Sequence, residues 1–190
     1  MRAQPLNPEV LVAIGPVVTV SRPDLEKLKE RATENPRQRV RLCAHQSADD
    51  RLHEMLIVLG RGTYVRPHKH PNKTESFHIV EGQADLILFD DDGIIGSVLA
   101  MGEYDSGRTF FYRLCAPYYH TVIVRSDALV LHETTNGPFV RADTIFAPWA
   151  PDEADADSRS RYVAALEQCV ARFVSGDEGT DRRVKGLRST

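Results

Sequence analysis

The stretch Gly62-Thr63-Tyr64-Val65-Arg66-Pro67-His68-Lys69-His70-Pro71-Asn72-Lys73-Thr74-Glu75-Ser76-Phe77-His78-Ile79-Val80-Glu81-Gly82 sets two imidazoles and a carboxylate between two glycines. Side chains alternate along a strand, so a strand through His68 and His70 presents both rings on one face, with Cα atoms roughly 6.7 Å apart. Pro71-Asn72-Lys73-Thr74 reads as a turn, which returns the chain and brings Glu75 to the same point from a second strand. Nitrogen and oxygen ligands then converge on one position, the requirement of a mononuclear metal site.

The surrounding pattern is strand after strand. Alternating or short apolar runs predict strands over 38–46, 53–60, 63–70, 75–81, 84–90, 94–100, 108–114, 118–125 and 128–134. Asp91-Asp92-Gly93 marks a hairpin and Gly60-Arg61-Gly62 a tight connection. Short strands at such spacing build a sandwich or barrel, and a jelly roll hides their edges. Ahead of them, Val10-Leu11-Val12-Ala13-Ile14 and Val17-Val18-Thr19-Val20 read as two further strands. A helix follows, capped by Ser21, with Pro23 in its first turn and Leu25, Leu28 and Ala32 as its apolar stripe, stopped by Asn35-Pro36. Beyond the acidic link Pro151 to Asp157, Ser158 or Ser160 can cap a helix carrying Tyr162, Val163, Leu166, Cys169, Val170 and Phe173 on one side. The polar tail from Gly176 is expected to be mobile.

Composition fits one domain with a substantial core: 190 residues, 42% of them hydrophobic. No apolar run is long enough for a membrane-spanning helix, and the N-terminus lacks a secretory pattern, so a cytoplasmic location is expected. Three cysteines without a CxxC pair imply neither a disulfide framework nor a zinc knuckle. A net charge of -3 argues against a nucleic-acid surface.

The spacing Gly62-x5-His68-x-His70-x4-Glu75-x6-Gly82 resembles the first signature motif of the cupin superfamily. The resemblance implies a fourth ligand from a second motif on a later strand, and His120, in Cys115-Ala116-Pro117-Tyr118-Tyr119-His120-Thr121-Val122, is the candidate. It departs from that motif in the placing of the Pro and Gly before the histidine. The run Thr63 to Pro71 is similar to the WbuC family of cupin-fold metalloproteins. Lys73, Glu75, Phe77, Phe89-Asp90, Gly93, Pro36-Arg37-Gln38-Arg39, His45, Gly137-Pro138-Phe139 and Phe146 to Pro151 share that likeness. It implies a mainly β protein, a cupin jelly-roll β-barrel with a short N-terminal helix and a C-terminal helix. The expected organisation is N-terminal strands and helix packing on the barrel over 1–35, barrel over 36–151, C-terminal helix over 152–175 and tail over 176–190.

The expected cofactor is one divalent transition metal held by His68, His70, Glu75 and His120. Three imidazoles and a carboxylate without thiolates suit Zn, Fe, Mn or Ni. Strand parity places Tyr64 and Arg66 inward with His68, and Tyr118 with His120. Arg66, Lys73 in the turn and Arg39 are candidates to meet an anionic small molecule, with Tyr64 and Tyr118 lining the mouth. His45 is the candidate catalytic acid–base. His78 should point away from the metal, His53 looks peripheral, and one of His132 and Glu133 faces the cavity. Trp149, between prolines, reads as a clasp for the C-terminal arm. A metal-dependent enzyme, such as an isomerase or epimerase of a sugar or sugar nucleotide in surface polysaccharide metabolism, is one expectation. A non-catalytic binding or sensor cupin and an Fe(II) oxygenase are the others. Apolar N-terminal strands lead us to expect a homodimer.

Overall fold

The computed structural model describes residues 1–176; the tail expected over 176–190 falls outside the described residues from residue 177 on. Twelve strands and two helices follow one another. They are β1 (Ala3–Asn7), β2 (Val10–Ala13), α1 (Arg22–Glu34), β3 (Arg39–Cys43), β4 (Leu52–Gly60), β5 (His68–Lys69), β6 (Glu75–Glu81), β7 (Gln83–Phe89), β8 (Ile95–Gly102), β9 (Phe111–Leu114), β10 (Tyr119–Val124), β11 (Ala128–Asn136), β12 (Ile145–Phe146) and α2 (Ala156–Ser175). They form a seven-stranded sheet, β1-β2-β3-β4-β11-β6-β9, and a five-stranded sheet, β12-β5-β10-β7-β8. Pairing is antiparallel except between β2 and β3. No helix is long and apolar enough to cross a membrane among the described residues.

Alternation within the strands produces three apolar layers. Leu86, Val124, Leu129, Leu131, Phe77 and Ile79 fill the space between the sheets. Val40, Leu42, Val58 and Val130, one residue out of phase, cover the outer face of the large sheet and receive Leu28 and Ala32 of α1. On the far side, Ile87, Phe89, Tyr119 and Ile123 of the small sheet meet Tyr162, Leu166, Cys169 and Val170 of α2. Each helix therefore closes one sheet, the arrangement expected where two sheets stack in a jelly roll. The strands form two hydrogen-bonded sheets and not one closed barrel.

Local chemistry sets the element boundaries. Ser21 is the N-cap of α1, and the Asp24 carboxylate accepts hydrogen bonds from the Ser21 backbone N–H at 2.9 Å and its hydroxyl at 2.6 Å. The N-cap of α2 is Asp155, whose side chain accepts from the Ser158 backbone N–H at 3.0 Å; the expected serine caps lie inside the helix. Val17 to Val20 forms no strand; the N-terminal pair is Ala3–Asn7 with Val10–Ala13, and β2 continues the large sheet onto β3. The strand expected over 63–70 shrinks to His68–Lys69. Buried Pro67 has no N–H to give a ladder, and the Val65 carbonyl is taken by the Thr121 hydroxyl at 2.5 Å.

Candidate metal centre

His68 and His120 are register partners across β5 and β10, so their side chains leave the small sheet on the same face. His70 follows two residues after His68, and Glu75, the first residue of β6, faces them from the large sheet. The result is a cluster bridging the two sheets. Ring centroids lie 4.5 Å apart for His68 and His120, 4.9 Å for His68 and His70, and 5.7 Å for His70 and His120. One ligand nitrogen from each imidazole falls within 4.8 Å of the others, so the three can hold one metal ion. Glu75 closes the fourth side, with Oε1 2.9 Å from His120 Nε2 and Oε2 3.6 Å from His70 Nε2.

All three rings are turned in the same way. Nδ1 lies 2.9 Å from the Arg66 carbonyl in His68, 2.9 Å from the Asp143 carbonyl in His70, and 3.0 Å from the Tyr118 carbonyl in His120. A carbonyl can only accept, so each Nδ1 carries a proton and each Nε2 is turned to the cluster, where a neutral ring presents a lone pair. His120 Nε2 and Glu75 Oε1 are buried yet have no hydrogen-bond partner of acceptable direction among the described residues. Burial and the neighbouring His120 and His70 push the His68 pKa down to about 3, so this ring is neutral at physiological pH. Burial opposes charge on both Glu75 and His120, but their mutual attraction holds Glu75 below and His120 above its ordinary range. Lone pairs that converge on a carboxylate, with the far nitrogens tied to carbonyls, fit a cation and leave it no other buried compensation. The residues present therefore fit a divalent metal.

The other residues singled out in the sequence supply no side-chain ligand to this cluster among the described residues. Tyr64 does not face inward with His68: it packs with the α2 layer, and its hydroxyl donates to the Pro151 carbonyl at 3.0 Å. Arg66 is held by Asp152 at 2.8 Å and lies over the Phe146 ring. Strand parity fails for Tyr64 because residues 63–67 are not in a strand, whereas the Phe146 ring under Arg66 lies 6.2 Å from that of His68. Arg39 is paired with Glu9 and Glu153. Lys73 donates to the carbonyls of Asn136 and Pro138 at 3.3 and 3.2 Å. Tyr118 is exposed at the rim and contributes its backbone carbonyl to His120. His45 stacks on His53, with centroids 4.0 Å apart and planes at 3°, and reaches none of the four cluster residues by a hydrogen bond or ring contact among the described residues. His53 is buried rather than peripheral, whereas His78 is exposed, one residue out of phase with Glu75.

Glu133, not His132, faces the interior. It shares phase with Leu129 and Leu131 of the inter-sheet layer, while His132 lies toward Glu54 on the outer face. Tyr112, unremarked in the sequence, is buried on the same inner layer, with a hydroxyl lacking a partner. Period-two phase was the available signal for both.

Residues 20–101 match a family described as a domain of unknown function (DUF6016). No curated protein matches the chain significantly. Among solved structures, protein SO0799 from Shewanella oneidensis is 10% identical, with 67% of this chain and 83% of that chain covered and a TM-score of 0.50. The Schizosaccharomyces pombe Cnp3 cupin domain is 13% identical, covering 52% of this chain and 64% of that one, with a TM-score of 0.41. Bacillus subtilis oxalate decarboxylase, solved for its Mn(II) centres, is 18% identical, covering 53% and 25%, with a TM-score of 0.42. The chain thus spans less than two thirds of the Cnp3 domain and a quarter of the decarboxylase. Its own two-sheet topology is that of the jelly-roll cupin fold.

Proposed function

We propose that the chain is a WbuC-type cupin metalloprotein that holds one divalent ion through His68, His70, Glu75 and His120, and that its pocket receives a small anionic ligand of the sugar or sugar-nucleotide class. The observation that carries the metal assignment is the uniform orientation of the three imidazoles, each giving its Nδ1 proton to a backbone carbonyl. A bound ion would act as a Lewis acid toward an oxygen of the ligand. The chain's own part is to fix ring orientation through the Arg66, Asp143 and Tyr118 carbonyls and to supply a single carboxylate, Glu75, to the ion. One carboxylate leaves a divalent site with net positive charge, which favours an anionic oxygen. Support for a sugar ligand is the sequence resemblance between Pro36 and Pro151.

Metal analysis of protein purified without added metal should give one equivalent per chain, and His70→Ala should abolish it while the fold, read by circular dichroism, persists. Full metal retention in that variant removes His70 from the site. Calorimetry of the metal-loaded protein against nucleotide sugars and their neutral counterparts then reads the ligand class, and product formation in the same mixtures separates an isomerase from a binding cupin. Preference for the neutral compounds would reject the anionic reading.

A further inference from the structure

Glu133 is a half-buried carboxyl on the inner face of β11 that the metal assignment does not use. Its neighbours in phase, Leu129 and Leu131, are fully buried, and cross-strand register sets it opposite Phe77 while Thr135, two residues on, sits opposite Glu75. Glu133 and Glu75 are therefore diagonal neighbours on one face, with Cα atoms roughly 7–8 Å apart in ordinary strand geometry, within reach of long side chains. The adjoining position across β6 is Tyr112, whose buried hydroxyl has no partner. Glu133 itself makes no hydrogen bond or ion pair among the described residues. Two unmatched polar groups thus border Phe77 beside the histidine cluster.

We propose that Glu133 is a specificity-determining residue of the metal pocket, whose carboxylate receives a hydrogen bond from a ligand hydroxyl adjacent to the oxygen held at the histidine cluster. The ligand class is accordingly a hydroxy acid or sugar acid rather than a simple carboxylate. The proposal rests on the metal reading above. A ligand seated at the histidine cluster would take the remaining water from this carboxylate, and a ligand donor offsets that loss, so selection for the hydroxyl follows from the open acceptor. Desolvation first, and the nearby charge of Glu75 second, raise the Glu133 pKa to about 7. Such a site discriminates against an analogue lacking the donor, because its own polar group is then left unpaired.

The test uses the full chain loaded with Co(II), whose visible spectrum reports on ligands at the ion, titrated with glycolate and with acetate. In wild type the ratio of the two affinities should favour glycolate. In Glu133→Ala this ratio should fall by about tenfold, the weight of one hydrogen bond to a charged group. Glu133→Gln, which keeps an acceptor oxygen, should retain part of the preference. Chelation by glycolate itself is common to all three proteins and cancels. Failure of wild type to take up stoichiometric Co(II) would defeat the metal reading. Full Co(II) uptake with an unchanged ratio in Glu133→Ala, or with neither acid perturbing the spectrum, would overturn the role of Glu133 alone. Loss of Co(II) from a folded Glu133→Ala would also overturn it, by making Glu133 a ligand.

Discussion

The stacked pair His45 and His53 shows what a single residue can contribute without touching the metal cluster. Burial first, and the neighbouring His53 second, hold the His45 pKa below its ordinary value of 6.5, so the folded chain keeps this ring neutral to lower pH than the unfolded chain does. Between the two pKa values the unfolded state binds more protons. The contribution to stability is therefore complete above about pH 6.5 and is lost as pH falls toward the folded value. His45→Phe keeps a flat ring against His53 and removes the titration. Its melting temperature should fall less than that of wild type between pH 7.5 and 5.5, as read by thermal denaturation at matched ionic strength. Parallel curves for the two proteins would remove His45 from the acid response. The sequence made His45 and the four cluster residues visible by type and spacing, but not how His45 would be partnered. Its partner lies on β4, and only the β3–β4 register brings them together.

At the scale of elements, legibility follows how locally each element is specified. The first helix could be bounded from Ser21 and Asn35 because its caps are adjacent in sequence. β6 could be read from Glu75 to Glu81 because its alternation is continuous. The segment before His68 could not, since its neighbours are the distant Thr121, Pro151 and Asp152. Trp149 belongs to the same kind of long-range contact: its ring lies 5.0 Å from Phe89, 5.8 Å from Tyr119 and 6.4 Å from Tyr162, joining the small sheet to α2. Gly93 makes room for it. Its φ of +80° suits glycine, and a Cβ there would stand 2.9 Å from the indole. Trp149→Ala should cost about 3 kcal/mol. For a domain of this size that lowers the melting temperature by about 6–12 °C. Trp149→Phe should recover much of it. A calorimetric loss below about 1 kcal/mol for the alanine variant, on the same scale, would mean that α2 is held without this clasp.

For the whole molecule, the two ends of the large sheet are unequal, and this bears on how two copies pair. The N-terminal strands that suggested a dimer from the sequence are already joined to each other and to β3, which leaves only the outer edge of β1 open. That edge contains Pro5, which has no N–H, and its register shifts between Pro5 and Asn7, so it is a poor template for another strand. The opposite edge, β9, pairs with β6 over four consecutive residues without a shift. Beside it Phe110, Phe111, Tyr104 and Val80 are exposed, with Phe110 5.3 Å from Tyr104 and 5.7 Å from His78 by ring centroid. An aromatic patch next to a regular open edge is a surface that self-association would cover. We therefore expect a dimer through β9, with a mass in solution of twice the 21.3 kDa chain. Phe111→Glu would place a charge in the centre of that contact while leaving the buried face of β9, carried by Tyr112, untouched. Light scattering at micromolar protein should show the mass of that variant falling to that of one chain, with its circular dichroism spectrum and metal content unchanged. A wild type that already scatters as a single 21.3 kDa chain would reject pairing altogether. A Phe111→Glu variant that remains dimeric would move the interface away from β9.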